Sequence, residues 1–544
     1  MSLLVRKSLS GTQLTGSTLL IRTPDAVSAL VDGQRVELSR ITGPTWGAKG
    51  VLVRIEENEK SLGVSLEAPS SNLFEVTLHW RIPSLESVSL LNDHWERTYG
   101  DVSWHRPKET EVLPWYFLEY HDDQTAGYGV RTGAGAFCSW RVGNNSLDLT
   151  LDTRNGGEGV SLGERVLSAA EIVTVESEAG ESSYETTRRF IASMCDKPRM
   201  PKKPVYGIND WYSTYGHNSE ALILEHTALM APMADGLKNR PFSVIDAGWF
   251  RVSPDAPDDI SWSDDMGVPN DRFGDMHRMA EKIKGLAMRP GIWTRPLCGS
   301  STDPVDHMLP MIAGREKNKP VLDPSIPENL ERVKKLLHLY NAWGHELVKF
   351  DYTSFDLFGR WGFQMVKAGT MTEPGWHMHD RSKTNAEIIL DLYRAVRESA
   401  GDACVISCNT FSHLAAGLFE LNRIGDDTSG VEWERTRRMG VNTLAFRGVH
   451  HGLFYAADPD CVGLTEKVAW EKNKQWMELV ARCGTPLFIS AEPRATGQEQ
   501  KAWVRKCFAL AAHGQPLGRP LDWMEGPVPS TWMLEGSMRR FSWD

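Results

Sequence analysis

Several things are scarce in this sequence. Its 8 cysteines are scattered over 544 residues. The two nearest, Cys404 and Cys408, fall on one predicted strand, too close for an unstrained bridge in extended backbone, so reduced thiols are expected. No cysteine–histidine spacing of a zinc site occurs, and no metal or other cofactor is expected. No apolar run is long enough to cross a membrane. The opening stretch, MSLLVRKSLSGTQL, lacks the apolar core of a secretory signal; a signal already removed would leave no trace, so the compartment stays open. Positive charge is not in surplus either. A formal net charge of -11 disfavours a nucleic-acid partner, whose phosphates call for a basic face, and suits a neutral small molecule. Internal repeats and low-complexity tracts are missing.

Length and tryptophan are plentiful. The chain is too long for one ordinary domain. Its 20 tryptophans supply flat apolar rings that build cores and stack on the C–H faces of sugars. Up to about Ser182, short alternating runs recur at Ser17 to Arg22, Gly50 to Glu56, Leu73 to Arg81, Leu147 to Leu151 and Ile172 to Glu176. Gly, Asn and Asp punctuate them, which predicts a β-sandwich. A helix over Tyr184 to Cys195 and a linker rich in Pro and charge, Lys197 to Pro204, close this part.

From Val205 the pattern alternates strand and helix. Candidate strands are Val205–Trp211, Phe242–Trp249, Met288–Thr294, Leu347–Thr353, Ala403–Asn409, Leu421–Asp426, Gly452–Ala456 and Pro486–Ser490. Eight parallel strands close a barrel. The expected architecture is thus an α/β protein: a (β/α)8 TIM barrel preceded by an N-terminal β-sandwich domain. The division is 1–197 for the sandwich and linker helix, 198–500 for the barrel, and 501–544 for a C-terminal helix and tail, the remnant of a β-domain. Helix starts carry their own signals. Capping boxes are read at Ser325 to Glu328 and Thr384 to Glu387, and an amphipathic helix at Lys467 to Arg482. The tail holds one possible strand, Arg539 to Trp543.

Two strand ends carry the chemistry. Leu347-Val348-Lys349-Phe350-Asp351 and Leu421-Asn422-Arg423-Ile424-Gly425-Asp426-Asp427 each run from apolar residues into charge, at the end of a barrel strand where catalytic residues sit. Lys349 and Asp351 leave the same face, so Lys349 is expected to hold Asp351 ionised. An ionised carboxylate can attack an anomeric carbon, and a second, protonated one can assist the leaving oxygen. Repulsion between Asp426 and Asp427 is expected to raise the pKa of one of them, as a general acid requires. The alternative is that both cap the next helix.

With these residues in view, the chain resembles the α-galactosidase (melibiase) clan, glycoside hydrolase families twenty-seven and thirty-six. The likeness covers Val205 to Pro493, with the N-terminal β-domain arranged as in family thirty-six. It rests on Lys349-Phe350-Asp351 and on the spacing from Arg423 to Asp427. Ile245-Asp246-Ala247-Gly248-Trp249, Pro290-Gly291-Ile292-Trp293, Cys408-Asn409 and Asp458-Pro459-Asp460 add to it. The resemblance implies a retaining exo-α-glycosidase, with Asp351 as nucleophile and Asp427 as acid/base. It places Asp246, Trp249, Trp293, Lys349, Cys408, Asn409, Arg423 and Trp211 around the sugar, with an oligosaccharide or small glycoside as partner.

Two positions depart from the clan. Ala247 stands where a second carboxylate is usual, and Ile208 where a tryptophan is usual. Lost polar contacts change selectivity by large factors. A different sugar (an α-N-acetylgalactosaminide or a β-L-arabinopyranoside), transglycosylation, or a barrel that binds carbohydrate without turnover are the alternatives. His377-Met378-His379-Asp380 is read as surface or subsite lining and His450-His451 as structural. The sequence leaves open whether Trp46, Trp104, Trp115 and the segment His94-Trp95-Glu96-Arg97 serve the β-domain's core or the barrel mouth.

Overall fold

The computed structural model describes residues 21–82, 88–252, 265–300, 302–312, 314–315 and 320–544. Most of the predicted run Ser17 to Arg22 lies outside them. Residues 26–176 form a twelve-stranded sheet in which every pairing is antiparallel. Its spine is Leu62–Arg81, a 20-residue strand paired with Val51–Glu57, Ala26–Val31, Ser146–Asp152 and Val160–Glu176. Inward residues alternate with outward ones, as in Val51, Val53 and Ile55 against Leu52, Arg54 and Glu56. That period-two pattern is why the strands were legible. Trp46, Trp95 and Trp115 are buried there, and the indole N–H of Trp115 donates to the carbonyl of Trp95 at 3.1 Å. Trp104 instead packs edge-on against Trp523 near the C-terminus.

A helix, Ser183–Met194, follows, capped by Ser182 and Glu185. Then comes an all-parallel sheet. Tyr206–Asn209 lies between Phe242–Ile245 and Leu487–Ala491. Beyond Phe242–Ile245 the order runs Arg289–Thr294, Leu347–Phe350, Cys404–Ser407, Leu421–Arg423 and Ala456–Asp458, while Cys461–Leu464 flanks Leu487–Ala491. The two outermost strands of this order are successive pieces of one stretch of chain, interrupted only by Pro459 and Asp460. Asp460 takes a left-handed φ of 73° at that break, which Asp tolerates better than most side chains.

Three sequence expectations are corrected here. The seventh strand begins at Ala456 rather than ending there. The aromatic run ahead of it, Phe454 and Tyr455, is buried against His450 instead of joining the ladder. The helix Pro327–Ala342 has Ile326, not Ser325, at its N-cap and no side-chain cap. Ser325 instead accepts from the amide of Asp380 at 3.0 Å. The tail holds more than one strand: after the helix Gln498–His513, Arg519–Pro520, Thr531–Leu534 and Ser537–Arg540 form a small antiparallel sheet. Trp532 and Trp543 are buried beneath it. The capping box at Thr384 and Glu387 is present. All eight cysteines are free. Among the described residues no helix is long and apolar enough to cross a membrane.

Candidate active site

The strands Leu347–Phe350 and Leu421–Arg423 deliver their charged tips to the same end of the parallel sheet. The next residue after the first strand is Asp351, whose amide donates to the carbonyl of Thr294 at 3.0 Å. Its Oδ2 accepts from the indole N–H of Trp293 at 3.0 Å and its Oδ1 from the amide of Tyr352 at 2.7 Å. Tyr352 has a φ of 67°, so the chain turns sharply just after the carboxylate. Asp351, Lys349 and Asp427 are only partly buried. Asp246, Arg423, Asp458, Asp460, Asn209 and Asn409 around them are buried. The partly accessible charged groups of this cluster are thus Asp351, Asp427, the adjacent Asp426 and the ammonium of Lys349.

Lys349 makes its direct ion pair with Asp246 rather than with Asp351. Its Nζ lies 2.7 Å from Asp246 Oδ2. Asp246 is 2% exposed and also accepts from Asn209 at 2.6 Å and from the amide of Ala247 at 2.8 Å. Its own amide donates to Asp210 Oδ1 at 2.7 Å. Both of its oxygens are therefore engaged inside the protein. Burial, and next the charge of Asp246, push the carboxyl of Asp210 up to about 6.

Asp427 also departs from expectation. Burial alone would raise its pKa, but Arg97, then Arg423, Lys349 and Arg435, outweigh it and hold the group at about 2. Arg423 Nη2 lies 3.1 Å from Asp427 Oδ1 and 3.0 Å from Asp460 Oδ2. Arg97 Nη1 lies 3.5 Å from Asp427 Oδ1, and its Nη2 lies 2.7 Å from Asp426. The expected rise is absent at Asp427 because Arg97 lies across both carboxylates and Arg423 adds a second guanidinium on Asp427. Neither residue caps the next helix: Trp433–Thr436 starts from Glu432. Asp458, by contrast, is raised to about 6, by burial first and also by Asp460.

The segment Asp93 to Tyr99, from the antiparallel part of the chain, is buried against these tips. Thr98 makes a parallel bridge to Gly425: its amide donates to Ile424 at 3.1 Å, and the amide of Asp426 returns to Thr98 at 2.8 Å. A side chain at Gly425 would meet the carbonyl of Met439 at 2.6 Å and Thr443 Oγ1 at 2.7 Å, so only glycine fits where Met439 and Thr443 pack against this turn. Asp93 anchors the segment. It forms a two-pronged pair with Arg447 at 2.6 and 3.0 Å, both side chains at most 2% exposed. Glu96 accepts from Asn409, Ser354 and Tyr99, and from the amide of Gly362 at 2.7 Å. Asp93, Glu96, Arg97 and Arg447 are site-building residues that no local sequence pattern marks, because their partners lie hundreds of positions away.

The remaining candidates divide by exposure. Trp293 reaches Asp351 edge-on through its N–H, but its ring is 1% exposed. Trp249 is fully buried, bonded to the carbonyl of Trp293 at 3.0 Å and packed on Tyr340 and Trp343. With 0% of the side chain exposed, it leaves no face for the expected sugar contact. Asn409 is committed to Glu96 and Ser354. Cys408 lies 3.6 Å from Arg423 and 3.8 Å from Arg97. Burial, and then the charge of Asp351, push its thiol well up. Trp211, half-buried, opens a short helix and donates its amide to Asn209 at 2.9 Å. His450 is buried between Tyr116 and Tyr455, and burial brings it down to about 3. His377 and His379 are exposed. Among the described residues no three His, Cys, Asp or Glu side chains are grouped to hold a metal ion.

No protein-family model matches the chain, and no curated protein matches it in sequence. Solved structures do. An α-galactosidase from Thermus thermophilus, in complex with p-nitrophenyl α-D-galactopyranoside, is 18% identical with a TM-score of 0.59; the match covers 95% of this chain and 99% of that one. A GH36 α-galactosidase from Geobacillus stearothermophilus, in complex with 1-deoxygalactonojirimycin, is 14% identical with a TM-score of 0.61, over 94% of this chain and 79% of that one. The α-galactosidase of Lactobacillus brevis is 14% identical with a TM-score of 0.57, over 90% and 73%. The fold of this chain is that of the α-galactosidases of glycoside hydrolase family 36.

Proposed function

We propose that the protein is a retaining exo-α-glycosidase of the α-galactosidase type. In this reading the parallel sheet is a (β/α)8 barrel, closed because its two outermost strands are one interrupted stretch, Ala456 to Leu464. The antiparallel sheet of residues 26–176 is the N-terminal β-sandwich. The divisions at about 197 and 500 separate the sandwich, the barrel and the C-terminal piece.

One observation carries the reading. Asp351 and Asp427 rise from the fourth and sixth strand tips, are partly accessible, and both lie in the field of the same ammonium, Lys349. Asp351 attacks the anomeric carbon while the bond to the leaving oxygen breaks. Asp427 delivers the proton to that oxygen, then takes one from water in the second step. Trp293 orients the nucleophile through its N–H. Lys349 and Asn209 hold Asp246 in place, and Arg423 orients Asp427. Neither step calls for a metal or organic cofactor. The substrate is a terminal α-linked sugar, α-galactoside first, since the Thermus and Geobacillus enzymes are solved with α-galactoside or galactose-like ligands.

A second reading, a related α-glycosidase or transglycosidase with another sugar, is favoured by one feature. Asp246 is engaged by Lys349 and Asn209 with only Ala247 beside it. Fewer acceptors then remain for sugar hydroxyls on this side.

The deciding experiment pairs Asp351→Gly with added azide on an activated aryl α-galactoside. Turnover lost without azide and restored as the β-glycosyl azide supports the reading. Full activity without azide, or an α-product, overturns it. A panel of aryl glycosides on the unmodified protein separates the sugars, and binding without any turnover would make it a lectin.

A further inference from the structure

A second cavity lies at the other end of the parallel sheet. Asp351 and Asp427 follow the ends of their strands, whereas the residues around this cavity sit at the strand starts. Residues 199–203 precede Tyr206–Asn209, and Lys238 and Arg240 precede Phe242–Ile245. Arg289 opens Arg289–Thr294, while Glu346, Asp402 and Glu420 come just before Leu347–Phe350, Cys404–Ser407 and Leu421–Arg423. These six strands are successive neighbours in one parallel ladder, so their starts converge on one side. The space measures about 480 Å³, the size of a small-molecule site. The linker read in the sequence, Lys197 to Pro204, forms one wall. It is held beside the second strand by Asn239, whose side-chain amide donates to the carbonyl of Pro204 at 2.8 Å.

The charge of this cavity runs against that of the chain. Six cations line it, Arg199, Lys202, Lys203, Lys238, Arg240 and Arg289, against three carboxylates, in a chain of formal net charge -11. Each carboxylate is already paired. Glu346 accepts from Arg289 at 2.7 Å, and Asp402 pairs with Lys202 at 3.0 Å. Glu420, buried, lies between Arg199 and Arg397, at 2.6 Å from each. Three cations are left over. Lys203 and Lys238 are exposed and meet no carboxylate among the described residues. Arg240 donates its Nε to the carbonyl of Ala287 at 2.7 Å and its Nη1 to the carbonyl of Ala234. Two backbone carbonyls orient this guanidinium without neutralising it.

We propose that this cavity binds a small molecule carrying phosphate groups, at the end of the sheet opposite the carboxylates of Asp351 and Asp427. An anion of more than one charge matches three cations that the protein itself leaves unneutralised. A fixed guanidinium offers phosphate oxygens a planar fork, and the two ammonium groups add mobile point charges. A concave space of this size suits a compact ligand rather than a long polyanionic chain. The bound anion would join Lys203 on the linker to Lys238 and Arg240 ahead of the second strand. It would thereby fasten the junction between the antiparallel part of the chain and the parallel sheet. A ligand held only by the folded chain raises its unfolding temperature. None of this draws on the glycosidase reading, so the two stand or fall separately.

The test uses the full chain, with pyrophosphate as the probe. Calorimetric titration is run at physiological ionic strength, where attraction to scattered surface charges is screened. One site per chain is expected, with an unfolding temperature that rises with pyrophosphate concentration. The double variant Lys203→Glu, Lys238→Glu should weaken binding about tenfold or more and abolish the rise. Lys367→Glu makes the same change of charge on an exposed lysine outside the cavity and should bind as the wild type does. No binding to the wild type, or equal binding in the double variant, overturns the proposal. If that variant does not fold, Lys203→Gln with Lys238→Gln, which removes both charges without reversing them, decides by the same comparison. Citrate bound as tightly as pyrophosphate overturns the phosphate assignment. A hexa-aspartate peptide bound more tightly than pyrophosphate overturns the small-molecule assignment in favour of an acidic peptide.

Discussion

The indole N–H of Trp293 lies 3.0 Å from Oδ2 of Asp351, although 58 residues separate them along the chain. The two belong to adjacent parallel strands, with Trp293 paired to Lys349. The bond therefore follows from the ladder's register. A hydrogen bond to a charged group is worth about 1.5–3 kcal/mol. Trp293→Phe keeps the ring and removes the donor. It is expected to lower kcat/KM about tenfold to a hundredfold with an unchanged circular dichroism spectrum; an unchanged rate would show that this bond does not matter.

Lys349 and Asp246 form a buried pair at 2.7 Å. Removing one partner leaves an uncompensated charge, which costs about 3–5 kcal/mol. Lys349→Met should lose stability by roughly that amount in urea unfolding, and should lose activity even at temperatures where it stays folded. Asp246→Asn, which keeps an acceptor for Asn209, should be milder in stability.

Asp93 and Arg447 tie the segment under Thr98 to the parallel part of the chain, at 2.6 and 3.0 Å. Burial alone would raise the carboxyl, but Arg447 and then His450 bring it below its ordinary value. The pair's stabilisation is therefore present above the unfolded pKa of Asp and lost as pH falls through the folded one. Asp93→Ala should destabilise by about 3–5 kcal/mol at pH 7. The deficit should shrink on acidification, as read from denaturant midpoints at pH 7 and below pH 4. A deficit equal at both pH values would refute the assignment.

Asp458 behaves the opposite way. Its folded pKa is about 6 against an ordinary 3.8, from burial first. The folded protein keeps this proton between those values while the unfolded chain releases it. Stability from this group therefore falls as pH rises from about 4 to about 6, by roughly 3 kcal/mol in all. Asp458→Asn lacks that dependence. Relative to wild type it should gain stability between pH 4 and pH 7, and parallel curves would count against a raised pKa.

The parts that were legible and the parts that were not differ in range. Strand tips such as Lys349-Phe350-Asp351 announce themselves because an apolar run buried in a sheet must end where charge begins. Gly452 to Ala456 misled because buried aromatics in a turn and buried aromatics in a strand look alike over four residues. The true strand, Ala456-Ala457-Asp458, is built from small side chains with little β signal. At Ser325, the first helical turn starts at Pro327, so the hydroxyl stands one position too early to cap it.

Local order along the chain was therefore enough to establish the alternation of elements, the change from period-two strands to strand and helix near 200, and the carboxylates at the fourth and sixth tips. These depend on neighbours within a few residues, and side-chain periodicity records such neighbours directly. Which cation meets which carboxylate was decided only on folding: Lys349 goes to Asp246, Arg97 crosses more than three hundred positions to Asp426 and Asp427, and Arg447 closes on Asp93. Buried charges must find partners wherever the packed chain brings them, and the strand ladders, not the spacing of residues, determine where that is.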